Sequence, residues 1–321
     1  MMPKFTCRAS LRSPQISINL NAVTIRVKII HPMRIFSFIV LMLLWLPAVQ
    51  AQSKGTVFES KTHTSSLLKM DRNYSIYLPS DYDSSDRTYP VLYLLHPAGP
   101  AGTIPNHQSW YHYGNLKHYL DKAIEAGDIL PMIVVTPDAN LESKRISYFN
   151  DPEGDFNFED YFFKEFMPFI EKNYRCRSEK GSRAIAGASL GGGAALQYAV
   201  HQPELFAVTC ALSAAVRRFD PQYLKNRYPN VKEEMLAQWY PPYDVFDFFE
   251  SLEEPSDTHP RWYLDCGDDD RLSINNALLH TVMKNKGIEH QFRMHNGAHD
   301  WAYWRSITPD FMEFISETFR K

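Results

Sequence analysis

The chain has 321 residues, 44% of them hydrophobic and 22% charged, with a formal net charge of −3. That is ordinary globular composition, and the near balance of charge removes the electrostatic case for nucleic acid or an anionic membrane surface as a partner. No internal repeat, heptad pattern or low-complexity tract interrupts it.

The first clear element is a targeting signal. From Met33 the chain reads MRIFSFIVLMLLWLPAVQAQ: a basic residue, the apolar run Ile35 to Leu46, then small residues at Val49 and Ala51. This is the layout of a secretory signal peptide over 33–51, cut after Ala51 and before Gln52. The apolar run is shorter than the ~20 residues of a membrane span, and no cysteine follows the cut to carry a lipid. We therefore expect a secreted or periplasmic protein whose mature form has no membrane anchor. A signal normally opens the chain, so residues 1–32 read as an upstream extension outside the fold, with Met33 as the true start. Residues 52–321 read as a single domain that retains Cys176, Cys210 and Cys266. An odd count argues against a disulfide framework. Cys210 and Cys266 sit in apolar, strand-like runs and read as buried thiols, and no C-x-x-C spacing supports a metal.

Along this domain, strands and helices alternate. Residues 65–79 alternate in part like a half-exposed strand, and VLYLL (91–95) is a short apolar run suited to a strand covered on both faces. Leu116, Tyr119, Leu120, Ala123 and Ile124 recur at helical spacing, with Gly127 as the stop. PMIVVTP (131–137) reads as a buried strand and 158–174 as one helix with an aromatic face. RAIAGA (183–188) is a strand, 190–203 a helix and LFAVTCALS (205–213) a strand. A polar and aromatic stretch, 216–258, follows and reads as a possible cap or lid that selects substrate. RWYLDCG, SINNALLHTVMKNKG and HQFRM then give strand, helix and strand, and a last helix begins near Pro309. Such alternation implies an α/β fold, a mostly parallel sheet with helices on both faces. In these sheets ligands bind at the carboxyl ends of the strands.

Three motifs fall at such ends. Gly187-Ala188-Ser189-Leu190-Gly191 matches G-x-S-x-G, a strand-to-helix elbow that exposes a serine. Serine is a poor nucleophile until a base takes its proton, and the base works best when a carboxylate fixes its tautomer. After RWYLDC come Asp268, Asp269 and Asp270; after HQFRM come His295 and His299. The chain order serine, acid, histidine is the one an elbow requires. Acyl transfer also needs donors for the developing oxyanion. The N–H of Leu190 is one, and the loop His96-Pro97-Ala98-Gly99 should supply the other. Pro97 has no N–H, which leaves Ala98, with Gly99 behind it.

With these stretches in place, the chain resembles the esterase D-type branch of the α/β-hydrolases, which includes feruloyl esterases, S-formylglutathione hydrolases, siderophore esterases and mycolyltransferases. The likeness rests on YPVLYLLHPAG, LPMIVVTPDAN, RAIAGASLGGGAAL, FAVTCALSAA, CGDDDRL and NGAHDWAYW, and it spans residues 60 to 318. The family's G-x-x-D implies Asp270 as the acid, and its G-x-H-x-W implies His299 as the base. Where the family has His-Gly, this chain has His96-Pro97, which implies a stiffer oxyanion loop. Trp301 and Trp110 are expected to bind substrate.

The resulting expectation is a serine carboxylic-ester hydrolase needing no metal or organic cofactor. Its partners are small-molecule or polysaccharide-linked esters, with feruloyl or acetyl esters of plant cell-wall polysaccharide foremost. Siderophore esters, acyl transfer to a sugar hydroxyl and a non-catalytic carbohydrate-binding relative are the alternatives.

Overall fold

Runs of consecutive apolar residues become the inner strands of one eight-stranded sheet. In chain order these strands are β1 (Thr56–Ser65), β2 (Met70–Leu78), β3 (Val91–Leu95), β4 (Ile133–Pro137), β5 (Arg183–Ala188), β6 (Val208–Leu212), β7 (Arg261–Gly267) and β8 (His290–His295). The computed structural model describes residues 54–99, 104–140, 148–253 and 258–321, together with the backbone of an antiparallel pair, Ile18–Leu20 and Val23–Ile25. Residues 1–52 and 53–321 form separate units. The signal peptide read over 33–51 and the cut before Gln52 lie outside the described residues.

The strand order is β8-β7-β6-β5-β3-β4-β2-β1. β1 and β2 pair antiparallel, as do β2 and β4, and all the other neighbours run parallel. β3, β4 and β6 are buried along their whole length, the pattern of parallel strands covered on both faces. The expectation of a mostly parallel, doubly covered sheet therefore holds.

The helices are α1 (Ser109–His112), α2 (Leu116–Ala126), α3 (Phe158–Tyr161), α4 (Met167–Asn173), α5 (Leu190–His201), α6 (Pro221–Arg227), α7 (Glu233–Trp239), α8 (Val245–Ser251), α9 (Ser273–Asn285), α10 (Trp301–Ser306) and α11 (Thr308–Phe319). Alternation along β3 separates two cores. Val91, Tyr93 and Leu95 join the aromatic cluster of Phe158, Phe162 and Tyr198 on one face. Leu92 and Leu94 join Trp110, Leu120, Phe311 and Ile315 on the other.

Two local readings need correction. The strand expected over 65–79 is a hairpin: Ser65 ends β1, Met70 begins β2, and Lys69 turns the chain with φ 54°. β1 carries polar residues exposed on both sides, so it has no apolar alternation to reveal it. The single helix expected over 158–174 contains a π-helical stretch, Phe162–Phe166, before Pro168. Proline cannot donate the next helical bond, and a wider turn absorbs that loss. The last helix, α11, begins at Thr308, where the sequence placed it, and the short α10 precedes it.

Because the inner strands are parallel, the loops after β3, β5, β6, β7 and β8 all leave the same edge of the sheet. That edge gathers His96, Ser189, Ser213, Asp270 and His299.

Candidate active site

At the end of β5 the backbone turns sharply. Ser189 has φ 56° and ψ −118°, a region that costs a non-glycine residue on the order of 1–3 kcal/mol. Main-chain bonds hold it there: its N–H donates to the Leu212 carbonyl at 2.8 Å, and its own carbonyl accepts from Gly193 and Ala215 at 3.0 and 2.8 Å. The flanking glycines are needed for close approach. A Cβ on Gly187 would lie 2.4 Å from the Gly191 backbone, and one on Gly191 would lie 2.5 Å from the Leu95 carbonyl oxygen. The elbow is thus a place where three stretches of backbone touch.

The Ser189 hydroxyl donates to His299 Nε2 at 2.8 Å, and His299 Nδ1–H donates to Asp270 Oδ2 at 2.7 Å. Asp270 is 2% exposed, and its other oxygen accepts the Leu272 N–H at 2.8 Å. Burial pushes the Asp270 carboxyl up, but the bonds from His299, Leu272 and Ser213 outweigh it and hold the group below the usual carboxylate range. An ionised Asp270 keeps the His299 proton on Nδ1 and leaves Nε2 free to accept. The edge of Trp304 packs against the His299 ring at 5.2 Å between centroids, and the Trp304 indole N–H donates to Ser213 Oγ at 3.1 Å.

The structure therefore brings Ser189, Asp270 and His299 into one hydrogen-bonded chain. His295 stands apart: its ring faces Asp265 and Asp310 at 3.8 and 3.9 Å. Asp268 and Asp269 are exposed, as turn residues should be, but they also tie the acid loop to the histidine loop. Asp268 Oδ1 accepts the Gly297 N–H at 3.0 Å, and the Asp268 and Asp269 N–H groups donate to the carbonyls of His295 and Gly297. Gly267 permits this contact, because a Cβ there would lie 2.1 Å from the Gly297 oxygen. Sequence reasoning missed this stitching; the run of three aspartates after a strand was its one visible trace.

Leu190 opens α5, so its N–H has no partner within the helix. Ala98 and Gly99 are exposed in the loop after β3. A cleft of about 240 Å³ lies beside them, lined among the described residues by Pro97, Ala98, Gly99, Ile104, Asn106, Ser109, Tyr113, His299, Asp300, Trp301 and Trp304. Trp301 is where the sequence placed it, on the cleft wall. Trp110 is not. It is fully buried, bonds through its indole N–H to the Leu95 carbonyl at 3.1 Å, and packs behind Trp301 at 5.2 Å. It supports the wall without facing the cleft. Trp304, Tyr113 and Ile104 do face it; only Trp304 had a signal, lying one helical turn beyond Trp301. Among the described residues, none that lines this cleft comes from 216–258.

The thiols of Cys210 and Cys266 are buried and unpaired, and Cys176 is half-buried and unpaired. Burial pushes the Cys266 thiol up to about 12, which keeps it protonated and unreactive.

Comparison with known proteins finds esterases. An esterase of Mycobacterium tuberculosis is 36% identical over 149 residues, 45% of this chain and 30% of that protein. The chain thus spans less than a third of that relative's length. An acetyl esterase of Caldicellulosiruptor saccharolyticus is 24% identical over 270 residues, 79% of this chain and 96% of its own. The solved structure of a ferulic acid esterase superposes with a TM-score of 0.72 at 32% identity, covering 83% of this chain and 99% of that one. The fold is that of the α/β-hydrolases. The Esterase family model, described as "Putative esterase", matches residues 65–312, and the chain belongs to that family.

Proposed function

We propose that the protein is an exported serine carboxylic-ester hydrolase in which Ser189, His299 and Asp270 act as a catalytic triad. The observation that carries the reading is the continuous bond from Asp270 through His299 to a serine held at positive φ. Ser189 Oγ attacks the ester carbonyl while His299 Nε2 takes its proton. The tetrahedral oxyanion is met by the N–H groups of Leu190 and Ala98, and its collapse expels the alcohol with the proton returned by His299. Water, activated by the same imidazole, then attacks the acyl-enzyme and frees the acid. Asp270 stabilises the imidazolium in both halves.

The substrate reading is an aromatic acyl ester of plant cell-wall polysaccharide, a feruloyl ester in particular, with acetyl esters second. The walls of Trp301, Trp304, Tyr113 and Ile104 favour a flat acyl group, and Asn106 and Ser109 add polar groups at its side. Relatives bearing the names ferulic acid esterase and acetyl esterase support both choices. The signal-like segment over 33–51 supports export to the periplasm or medium. Among the described residues no helix is long and apolar enough to cross a membrane.

Hydrolysis of methyl ferulate beside p-nitrophenyl acetate tests the reading. We expect turnover of both, with ferulate preferred in kcat/KM, and loss of at least about 10⁴-fold in kcat for Ser189→Ala. Retained turnover in that variant would remove Ser189 from the chemistry.

A further inference from the structure

We infer that His96 is a positioning residue that aims the Ala98 N–H into the active site by holding the carbonyl on the other side of the same peptide bond. This rests on the reading of Ala98 as an oxyanion donor.

His96 follows β3 and is fully buried. Its Nε2 lies 3.0 Å from the Ala139 backbone nitrogen, and that N–H can only donate, so Nε2 carries the lone pair. The proton of the neutral ring is therefore on Nδ1, which lies 2.9 Å from the Pro97 carbonyl oxygen and donates to it. Asp138 Oδ1 lies 3.8 Å from Nε2, too far to accept a proton from it. Burial, the largest influence, lowers the His96 pKa and keeps the ring neutral, against the pull of Asp138.

The geometric consequence lies in the next peptide. Among the described residues no peptide bond is cis, and in a trans unit the C=O and N–H point in opposite directions. The Pro97 carbonyl and the Ala98 N–H belong to one such unit. With the carbonyl drawn onto the buried ring, the N–H is turned outward, on the side where Ala98 and Pro97 line the cleft. The two carbonyls before it are tied as well. The Tyr148 hydroxyl donates to the His96 carbonyl at 3.0 Å and the Trp110 indole to the Leu95 carbonyl at 3.1 Å. Those two bonds fix the loop's path; the His96 bond fixes the rotation of the one peptide that matters. Pro97 adds a locked φ before that peptide, so the loop reaches its orientation with less to order.

Two substitutions separate the ring's two bonds. In His96→Asn the amide nitrogen replaces Nδ1 and can still donate to Pro97. In His96→Gln the amide oxygen can replace Nε2 and accept from Ala139, while the bond to Pro97 is lost. Each loses one buried hydrogen bond, so their stabilities should be comparable and can be checked by thermal melting. We expect His96→Gln to lose about 10- to 100-fold in kcat on methyl ferulate with little change in KM, less than the roughly 10²- to 10³-fold cost of deleting an oxyanion donor. Inhibition by a trifluoromethyl ketone should weaken in parallel, and His96→Asn should restore most of kcat. Nitrogen-15 NMR of the wild-type protein should find His96 as the Nδ1–H tautomer.

An Nε2–H tautomer, or a folded His96→Gln protein with undiminished kcat and inhibitor affinity, would overturn the role of His96. If turnover still depends on Ser189, the triad survives that result. Turnover independent of Ser189 would instead overturn the catalytic reading on which this inference rests.

Discussion

The edge of the sheet that carries Ser189, Asp270 and His299 and the segment at 216–253 meet near Ala215, yet different contacts hold them. At the edge, backbone rests on backbone. The Ser189 carbonyl takes two N–H groups, Gly191 lies under the carbonyls of Leu95 and His96, and Gly267 lies against Gly297. In the segment, side chains do the holding. Leu224, Val231 and Leu236 form a three-residue core of their own, Trp239 reaches the Asn150 carbonyl at 2.8 Å, and Tyr240 reaches the Arg217 carbonyl at 2.8 Å. Its exposed Arg218–Glu250 pair contributes little. Side chains can change rotamer to absorb an altered neighbour, whereas touching main chains cannot. The edge should therefore be intolerant of a single added carbon, and the segment tolerant of considerable change.

Gly191→Ala tests the intolerant side most severely. Its Cβ would lie 2.5 Å from the Leu95 oxygen and 2.7 Å from the His96 oxygen, and neither can move without dragging the loop after β3. We expect loss of several kcal/mol of stability and loss of esterase activity in whatever protein still folds. A soluble, fully active Gly191→Ala protein would show that the elbow is slacker than its contacts imply.

The same distinction explains what the amino-acid order could reveal. Apolar runs, helical spacing and chain order were enough to place β3, β5, β6 and β7 and to bring Ser189, a run of three aspartates and two histidines to one edge, because each of these is announced by its own neighbours. The choice of Asp270 and His299 among them came from the resemblance, through G-x-x-D and G-x-H-x-W. The hairpin turn at Lys69 was hidden by the exposed polar residues of β1, and the burial of Trp110 and the lacing by Asp268 were not announced because each is decided by a partner distant in the chain. Trp110 faces inward because Leu95 offers its indole an acceptor and Trp301 covers it. Asp268 is an ordinary exposed turn residue until Gly297, twenty-nine positions later, presents an N–H. In the aromatic stretch at 216–258, Trp239, Tyr228 and Tyr240 pack against the segment's own small core.

Leu236→Ala tests the tolerant side. Removing a buried leucine costs about 2–5 kcal/mol, and here the loss should fall on the segment's own core. Amide exchange in Pro221–Arg227 and Glu233–Trp239 should accelerate, while kcat for methyl ferulate changes less than about threefold. A fall in kcat as large as the fall in protection would mean that the segment and the edge form one cooperative unit, and the comparison would fail.

The smallest effect concerns a titratable side chain that joins the two regions. His201 ends α5, which begins just after Ser189, and its ring reaches Glu159 Oε1 at 2.5 Å through Nδ1 and the Pro242 carbonyl at 2.6 Å through Nε2. Both acceptors are satisfied together only by the doubly protonated ring. Burial pulls the His201 pKa down, but the Glu159 carboxylate and the Pro242 carbonyl outweigh it, and the net direction is upward. A pKa raised on folding gives stability that is fully present below the ordinary histidine value near 6.5 and lost as pH climbs through the folded value. Wild-type protein should therefore lose about 2 °C in Tm more than Glu159→Gln does, as pH rises from 6.5 through that window. The Pro241–Tyr243 turn should lose exchange protection over the same range, while the Gly187–Gly191 elbow keeps its own. Equal pH slopes in the two proteins would mean that the His201 joint carries no charge, and that packing and neutral hydrogen bonds such as Gln197 to the Tyr243 carbonyl hold the segment there.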